Sequence, residues 1–317
     1  MLRGVVGDPL DVELRRFALD HVLELSRRYD GLVHVDVLRE GFPTPIGRLS
    51  YGSFYAGIHR PKEFAGRAAL SLTTTPPTDE DAPYDDGYDE ETQTFTYHYR
   101  RPKSDTERAR IAAARDNGAM RAAFEIAVPL IYFNGIVPSQ YTPIAPIYLT
   151  HDDPIKERVE FQVAWPTAEI KPDFDFDEPA RRYATRQAHY RLHQQRFREN
   201  VLRAYSRQCA VCRLREVPLL QAAHIIGDTE SRGTATVANG IALCAIHHLA
   251  YDRNLLGIAP DGVVHIATRL LHEIDGPMLK VGLQGFHGSP IQIPRRPRDR
   301  PDPELLEIRF GRFRDAA

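Results

Sequence analysis

Four residues in the second half of the chain have the types and spacing of a tetrahedral metal clasp. Cys209 and Cys212 form a C-x2-C turn, and Cys244 and His247 form a C-x2-H turn. Three thiolates and one imidazole are a ligand set for Zn2+. A closed four-ligand site leaves no position for water, so its expected role is to staple the fold. The knuckles are separated by 31 residues, more than a simple zinc ribbon needs. That insert holds PLLQAAHII, an apolar strand ending in His224, then a Gly/Thr/Ser loop, then Asn239 just before the return to Cys244. His248 directly follows His247. Consecutive residues on a short helix point to different sides, so one can serve the clasp and the other a second site. A neutral imidazole is a good base near pH 7 once a neighbour fixes its tautomer, and an asparagine amide can do that fixing.

His224, Asn239 and His248, in this order beside the clasp, resemble the HNH nuclease motif of the ββα-metal fold. The resemblance spans about residues 200–275 and rests on AAHI, then NG, then LCxxHHxxYD, with eight residues between the Asn and the last His. It implies His224 as the general base that activates water, Asn239 as the residue that orients it, and His248 as a ligand of a divalent cation on the scissile phosphate. That ion, Mg2+ or Mn2+, Co2+ or Ni2+, would neutralise phosphate charge and stabilise the leaving oxygen. Many relatives place Asp or His just before the base as a second ligand, where this chain has Ala223. Asp252 of the YD pair and Asp228 after the base are candidates for that role, or water and phosphate oxygens complete the shell. A lone His ending an apolar strand is usually a satisfied core residue. Six positions agreeing in order and spacing favour a nuclease over a zinc-stapled binding module.

The elements that must position these groups belong to a chain of 317 residues, 42% hydrophobic and 26% charged, long enough for about two domains. Collagen-like, disordered and membrane-spanning classes are excluded. No apolar run approaches the roughly 18 residues of a membrane span and the N-terminus lacks a signal h-region, so no membrane is expected and the cytoplasm is the default location. Three cysteines confined to residues 209–244 argue for metal, not disulfides. The net charge of -2 hides an asymmetry: residues 180–317 hold 21 Lys and Arg against 13 Asp and Glu, net +8, leaving net -10 before them. A basic half points to a polyanionic partner. The fold class read from these patterns is α+β, divided as 1–165, a linker and the start of a basic helix over 166–195, and 196–317.

Residues 10–29 have helical apolar spacing. From about 45 to 165, short alternating runs such as QTFTYHYR and RVEFQVAW between Pro/Gly/Asp turns read as a mostly antiparallel β domain. One helix interrupts it, with Ile111, Ala114 and Ala122 as its packing face. WPTAEIKPDFDFDEP, residues 165–179, reads as the interdomain linker. The next segment is a long helix with Tyr183, Tyr190 and Phe197 every seven residues and eight arginines, Arg196 among them, against the single Glu199. It is either a solvated face or a phosphate-backbone contact.

In the first half, YAGIHRP, ALSL, APYDDGYDEETQTFTYHYR and DNGAMRAAFEIAVPLIYF look like the SRA-like (PUA-like) domains fused to HNH domains in modification-dependent restriction endonucleases. Such domains flip a modified cytosine into a pocket. The resemblance implies a base pocket of Tyr84, Asp85, Asp86 and Tyr97, with Asp79, Asp81 or Asp89 as alternative pairing residues, and phosphate contacts from His59 and Arg60. A carboxylate would accept from cytosine N4 while aromatic faces sandwich the ring. The implied whole is a mostly antiparallel SRA-like reader followed by a zinc-stabilised ββα-metal nuclease, a homodimer acting on double-stranded DNA that carries 5-methyl- or 5-hydroxymethylcytosine. Its alternatives are an HNH enzyme cutting unmodified sequence and a non-catalytic zinc-stapled DNA-binding protein.

Overall fold

The computed structural model describes residues 8–54, 57–76, 87–164 and 178–316. It divides into two compact units, Met1–Leu192 and His193–Ala317. Of the expected linker, 165–179, residues 165–177 lie outside the described residues.

In the first unit, helix α1 (Pro9–Arg28) starts where Asp8 accepts a hydrogen bond from the backbone N–H of Leu10, with Pro9 opening the first turn. Its buried stripe is Leu14, Ala18, Leu19, Val22 and Leu25. There follow β1 (Val33–His34), α2 (Val35–Arg39), the hairpin β2 (Phe42–Thr44) and β3 (Gly47–Leu49), then β4 (Ile58–His59), β5 (Ser71–Thr74), β6 (Tyr88–Asp89), β7 (Thr94–His98), α3 (Glu107–Glu125), β8 (Leu130–Val137), β9 (Gln140–Asp153) and β10 (Arg158–Val163). The main sheet runs β4-β5-β8-β9-β10-β7-β6, with β1 added to β9. It is antiparallel apart from the parallel β5–β8 pair. Every residue of β8 is buried. Leu130 and Tyr132 enter a core shared with α3, and Ile131 and Phe133 enter one shared with α1. A strand covered on both faces has no polar alternation, as its LIYF run shows.

Two helix faces differ from the sequence reading. On α3 the buried stripe is Ala113, Asp116, Ala119, Met120 and Ala123, while Ile111 is exposed. Asp116 anchors that face by pairing with Arg100. Helix α4 (Glu178–Ala204) runs across the division between the units. Ala184, Ala188 and Leu192 are its buried residues in the first unit, with Thr185 accepting from the Val163 N–H at 2.9 Å. Residues 178–192 are therefore part of the first core, not a linker, and Tyr183 and Tyr190 face out.

The second unit has a separate core built on Phe197, Val201, Leu202 and Tyr205 of α4. Strands β11 (Leu220–His224) and β12 (Gly240–Cys244) form an antiparallel ribbon and α5 (Ala245–Asp252) packs on it. A second ribbon, β13 (Leu256–Ile258) with β14 (Val264–Ile266), leads to the short helices α6 (Thr268–Leu271) and α7 (Pro277–Gly282), and α8 (Pro303–Ala316) closes against β13. Gly240 has no substitute in this packing. A Cβ there would lie 2.4 Å from Val201 Cγ2 and 2.9 Å from Phe197 Cζ, so α4 could not approach the ribbon. Among the described residues no helix is long and apolar enough to cross a membrane.

Candidate active site and metal clasp

The ribbon places chemistry at both of its ends. Leu220 pairs with Cys244 at one end and His224 with Gly240 at the other. Cys244 leads directly into α5, so His247 turns back toward the cysteines. His247 Nδ1 lies 3.1 Å from Cys244 Sγ and 3.5 Å from Cys209 Sγ, and Cys212 Sγ lies 3.9 Å from Cys244 Sγ. The four donor atoms are all within 4.8 Å of one another. A tetrahedral Zn2+ with bonds of about 2.3 Å to sulfur requires edges of roughly 3.7 Å, so the residues fit the ion. The backbone shapes the knuckle: Ala210 N–H donates to Ala242 O, and Arg213 takes a left-handed φ of 61°.

Electrostatics agree with that fit. Hydrogen bonds from Cys209 and Cys212 hold the Cys244 thiol far below its ordinary range. Burial disfavours a charged His247, yet its contacts with Cys209 and Cys244 outweigh burial and push it up to about 10. Hydrogen bonds with Cys212 and Cys244, together with burial, push the Cys209 thiol up, so the cluster pairs one thiolate, Cys244, with a charged His247. His247 Nε2 lies 2.8 Å from Gly282 O. A carbonyl there accepts the ring N–H and leaves Nδ1 for the metal.

At the other end, the His224 ring stacks on Phe197 with centroids 3.9 Å apart and planes 12° apart. Its Nε2 is buried with no hydrogen-bond partner. Burial holds this imidazole below its ordinary value, with Asp228 opposing the shift and His248 adding to it. A neutral ring with an uncommitted nitrogen is the state a general base needs at neutral pH. Asn239, 0% exposed, commits its side-chain amide to the backbone. Its Oδ1 accepts from the Ile226 N–H at 2.9 Å, and its Nδ2 donates to Ile226 O and Thr234 O, each at 2.9 Å. It locks the loop that leaves His224, and so fixes the backbone that carries the base.

His248 faces away from the clasp. Its Nδ1 is 2.7 Å from Gln221 Oε1 and its Nε2 is 3.4 Å from Asp252 Oδ2. Two donors of one small divalent cation stand about 3 Å apart, so His248 and Asp252 fit such an ion. Asp228, the other candidate, instead accepts from Gln194 Nε2 at 2.6 Å. Ala223 is buried in the core. The adjacent C-terminal helix braces this region: Arg312 grips Glu230 of the loop at 2.9 and 2.5 Å, and Arg309 binds Asn254 Oδ1 and Tyr251 O.

Several arginines of α4 and of the turn that follows it are committed within the protein. Arg198 and Arg207 both bind the buried Glu199, Arg198 also reaches Leu220 O, and Arg182 pairs with Glu178. Arg196 is half-buried beside Phe197. Sequence reasoning missed Phe197 as the platform for His224, and Gln221 as the partner of His248. Both would need the faces of α4 and β11 to be known.

In the first unit, His59 Nε2 lies 3.1 Å from Ser50 O, and burial lowers its basicity. Arg60 donates to Phe64 O and Gly66 O. Tyr97 is buried, its hydroxyl donating to Thr73 O at 3.1 Å and its ring set edge-on to Tyr132. The Tyr132 hydroxyl in turn meets Thr74 Oγ1 and Asn134 Nδ2, and Asn134 Oδ1 is buried without a partner. Tyr84, Asp85 and Asp86, like Asp79 and Asp81, lie outside the described residues. Asp89 turns its carboxylate onto the N–H groups of Glu91 and Thr92.

No curated protein matches the chain by sequence. Among solved structures, a modification-dependent TagI restriction endonuclease aligns with a TM-score of 0.31 and 16% identity, over 81% of this chain and 85% of that one. The HNH endonuclease family profile matches residues 209–259, a span that holds all four clasp residues together with His224, Asn239, His248 and Asp252. Residues 209–259 are an HNH endonuclease domain.

Proposed function

We propose that the protein is a restriction-type DNA endonuclease whose second unit hydrolyses phosphodiester bonds and whose first unit reads modified cytosine. The observation that carries the hydrolytic reading is the match of residues 209–259 to the HNH endonuclease family, a span that holds His224 in the same small ββα unit as the His248–Asp252 pair. His224 takes the proton from the attacking water. The Phe197 ring holds the imidazole plane and Asn239 holds its loop, so the base does not have to be ordered when substrate arrives. A divalent cation held by His248 and Asp252 would neutralise the phosphate and stabilise the departing oxygen. The clasp, with all four positions filled by protein, takes no part in the chemistry.

The reading of modified cytosine is supported by the sequence pattern of the first half. Cutting both strands of a duplex needs two such centres, which supports a homodimer. One experiment tests both levels of the proposal. Plasmids of one sequence carrying cytosine, 5-methylcytosine or 5-hydroxymethylcytosine are digested with wild type and His224→Ala in the presence of Mg2+ or Mn2+. Expected are products from at least one modified plasmid only, and a loss of about 10²–10⁴-fold in the variant. Equal cutting of all three plasmids would remove the reader, and activity surviving in His224→Ala would remove the base.

A further inference from the structure

His248 has one nitrogen addressed by protein and one that faces a carboxylate. Gln221 Oε1 lies 2.7 Å from Nδ1. An amide oxygen can only accept, so Nδ1 carries the hydrogen and the lone pair of the neutral ring is on Nε2. That lone pair looks toward Asp252 Oδ2 at 3.4 Å. Two acceptors facing each other repel unless a proton, which would make the ring an imidazolium paired with Asp252, or a metal cation sits between them. Gln221 lies two residues before Ala223 on β11, so the two share a face of the strand. Ala223 is buried and offers no donor atom. On that face of the strand, Gln221 meets His248 of α5.

We infer that Gln221 is a positioning residue for the catalytic cation: by accepting from Nδ1–H it fixes the His248 tautomer and aims Nε2, together with Asp252, at a divalent ion. The inference rests on the reading of His248 as a cation ligand. Partners of this type fix the ring and raise its basicity, and their loss typically weakens metal binding by about 10–100-fold. In the opposite arrangement the Gln221 amide is turned so that its NH2 donates to Nδ1. The Nε2–H of His248 then points at Asp252 and no cation is called for.

Titration of the zinc-loaded full chain with Mn2+, followed by electron paramagnetic resonance, separates these cases without using activity. Gln221 is exposed, so its variants keep the core intact, and zinc content checks the clasp in each. The expected result is one Mn2+ site in the wild type, lost in His248→Ala and weakened about 10–100-fold in Gln221→Met. Gln221→Glu, whose side chain can only accept, binds as tightly as the wild type or tighter. Wild-type affinity in Gln221→Met, with the site still lost in His248→Ala, overturns the positioning role and leaves the ligand assignment standing. Equal weakening in Gln221→Glu and Gln221→Met shows that the amide donates and also overturns it. A wild type without the site, or a His248→Ala that retains it, overturns the ligand assignment itself.

Discussion

His247 and His248 are neighbours on one helix, yet the protein treats them in opposite ways. His247 is enclosed: one nitrogen meets two thiols and the other a backbone carbonyl. His248 has one nitrogen held by Gln221 and the other left beside Asp252 in a partly exposed setting. A helix advances its side chains by about 100° per residue, so a single dipeptide can supply a closed centre and an open one. In the function proposed above, stability and reactivity are divided by what surrounds the second nitrogen, not by residue type.

The largest expected effect comes from breaking the closed side. Stripping zinc, or Cys209→Ser, removes a contribution that in small zinc domains amounts to roughly 10–16 kcal/mol. The second unit should then lose its cooperative melting transition in calorimetry, whereas dialysis into Mg2+-free buffer with zinc retained leaves that transition in place. Equal sensitivity of melting to both treatments would erase the distinction between the two centres.

A smaller effect is expected at Asn239, which stands at the base of the ribbon and belongs to neither metal centre. Asn239→Ala leaves the Ile226 N–H, Ile226 O and Thr234 O without their side-chain partner inside a buried loop, a cost of about 2–4 kcal/mol. Urea unfolding should show this loss while zinc content stays at one per chain. An unchanged midpoint would mean that the loop is held by other means.

The smallest effect concerns pH. Burial keeps His224 below its ordinary value of 6.5 in the folded protein. Its neutral form therefore persists as pH falls to 6.5, and activity is lost only as pH drops through the lowered value. The acid limb of kcat/KM should lie below 6.5. Asp228 is the stronger of two carboxylates, with Asp252, that oppose the shift, so Asp228→Asn should move the limb further toward acid. A limb above 6.5, or one moved toward alkali, would contradict this electrostatic account.

Much of the site was legible in the sequence because metal ligation and base catalysis demand particular residues at particular separations. The clasp needed only spacing, whereas the roles of His224, Asn239 and His248 rest on the resemblance to the HNH motif. The platform under His224 did not follow from spacing, since Phe197 reads as the last member of an aromatic heptad whose earlier members, Tyr183 and Tyr190, face outward. On both α3 and α4 the buried stripes contain alanines and satisfied polar residues, Asp116, Thr185 and Glu199. An apolar period does not register such faces, because their burial depends on partners far along the chain. The eight arginines between Arg181 and Arg207 suggest a phosphate surface or a solvated face, and spacing alone does not show that the buried carboxylate of Glu199 ties two of them, Arg198 and Arg207. In the first unit the β character was legible, and the parallel β5–β8 pair was not, since residues 75–129 separate its strands.

The Gly282 carbonyl that steadies His247 lies 73 positions beyond Cys209. On a chain made from its N-terminus, the clasp cannot acquire this support until residue 282 has emerged. By then the whole first unit has been synthesised. In the reading proposed above, the order of translation itself delays the cutting centre until after its reader, so a ribosome stalled before residue 282 would display the reader without a finished blade.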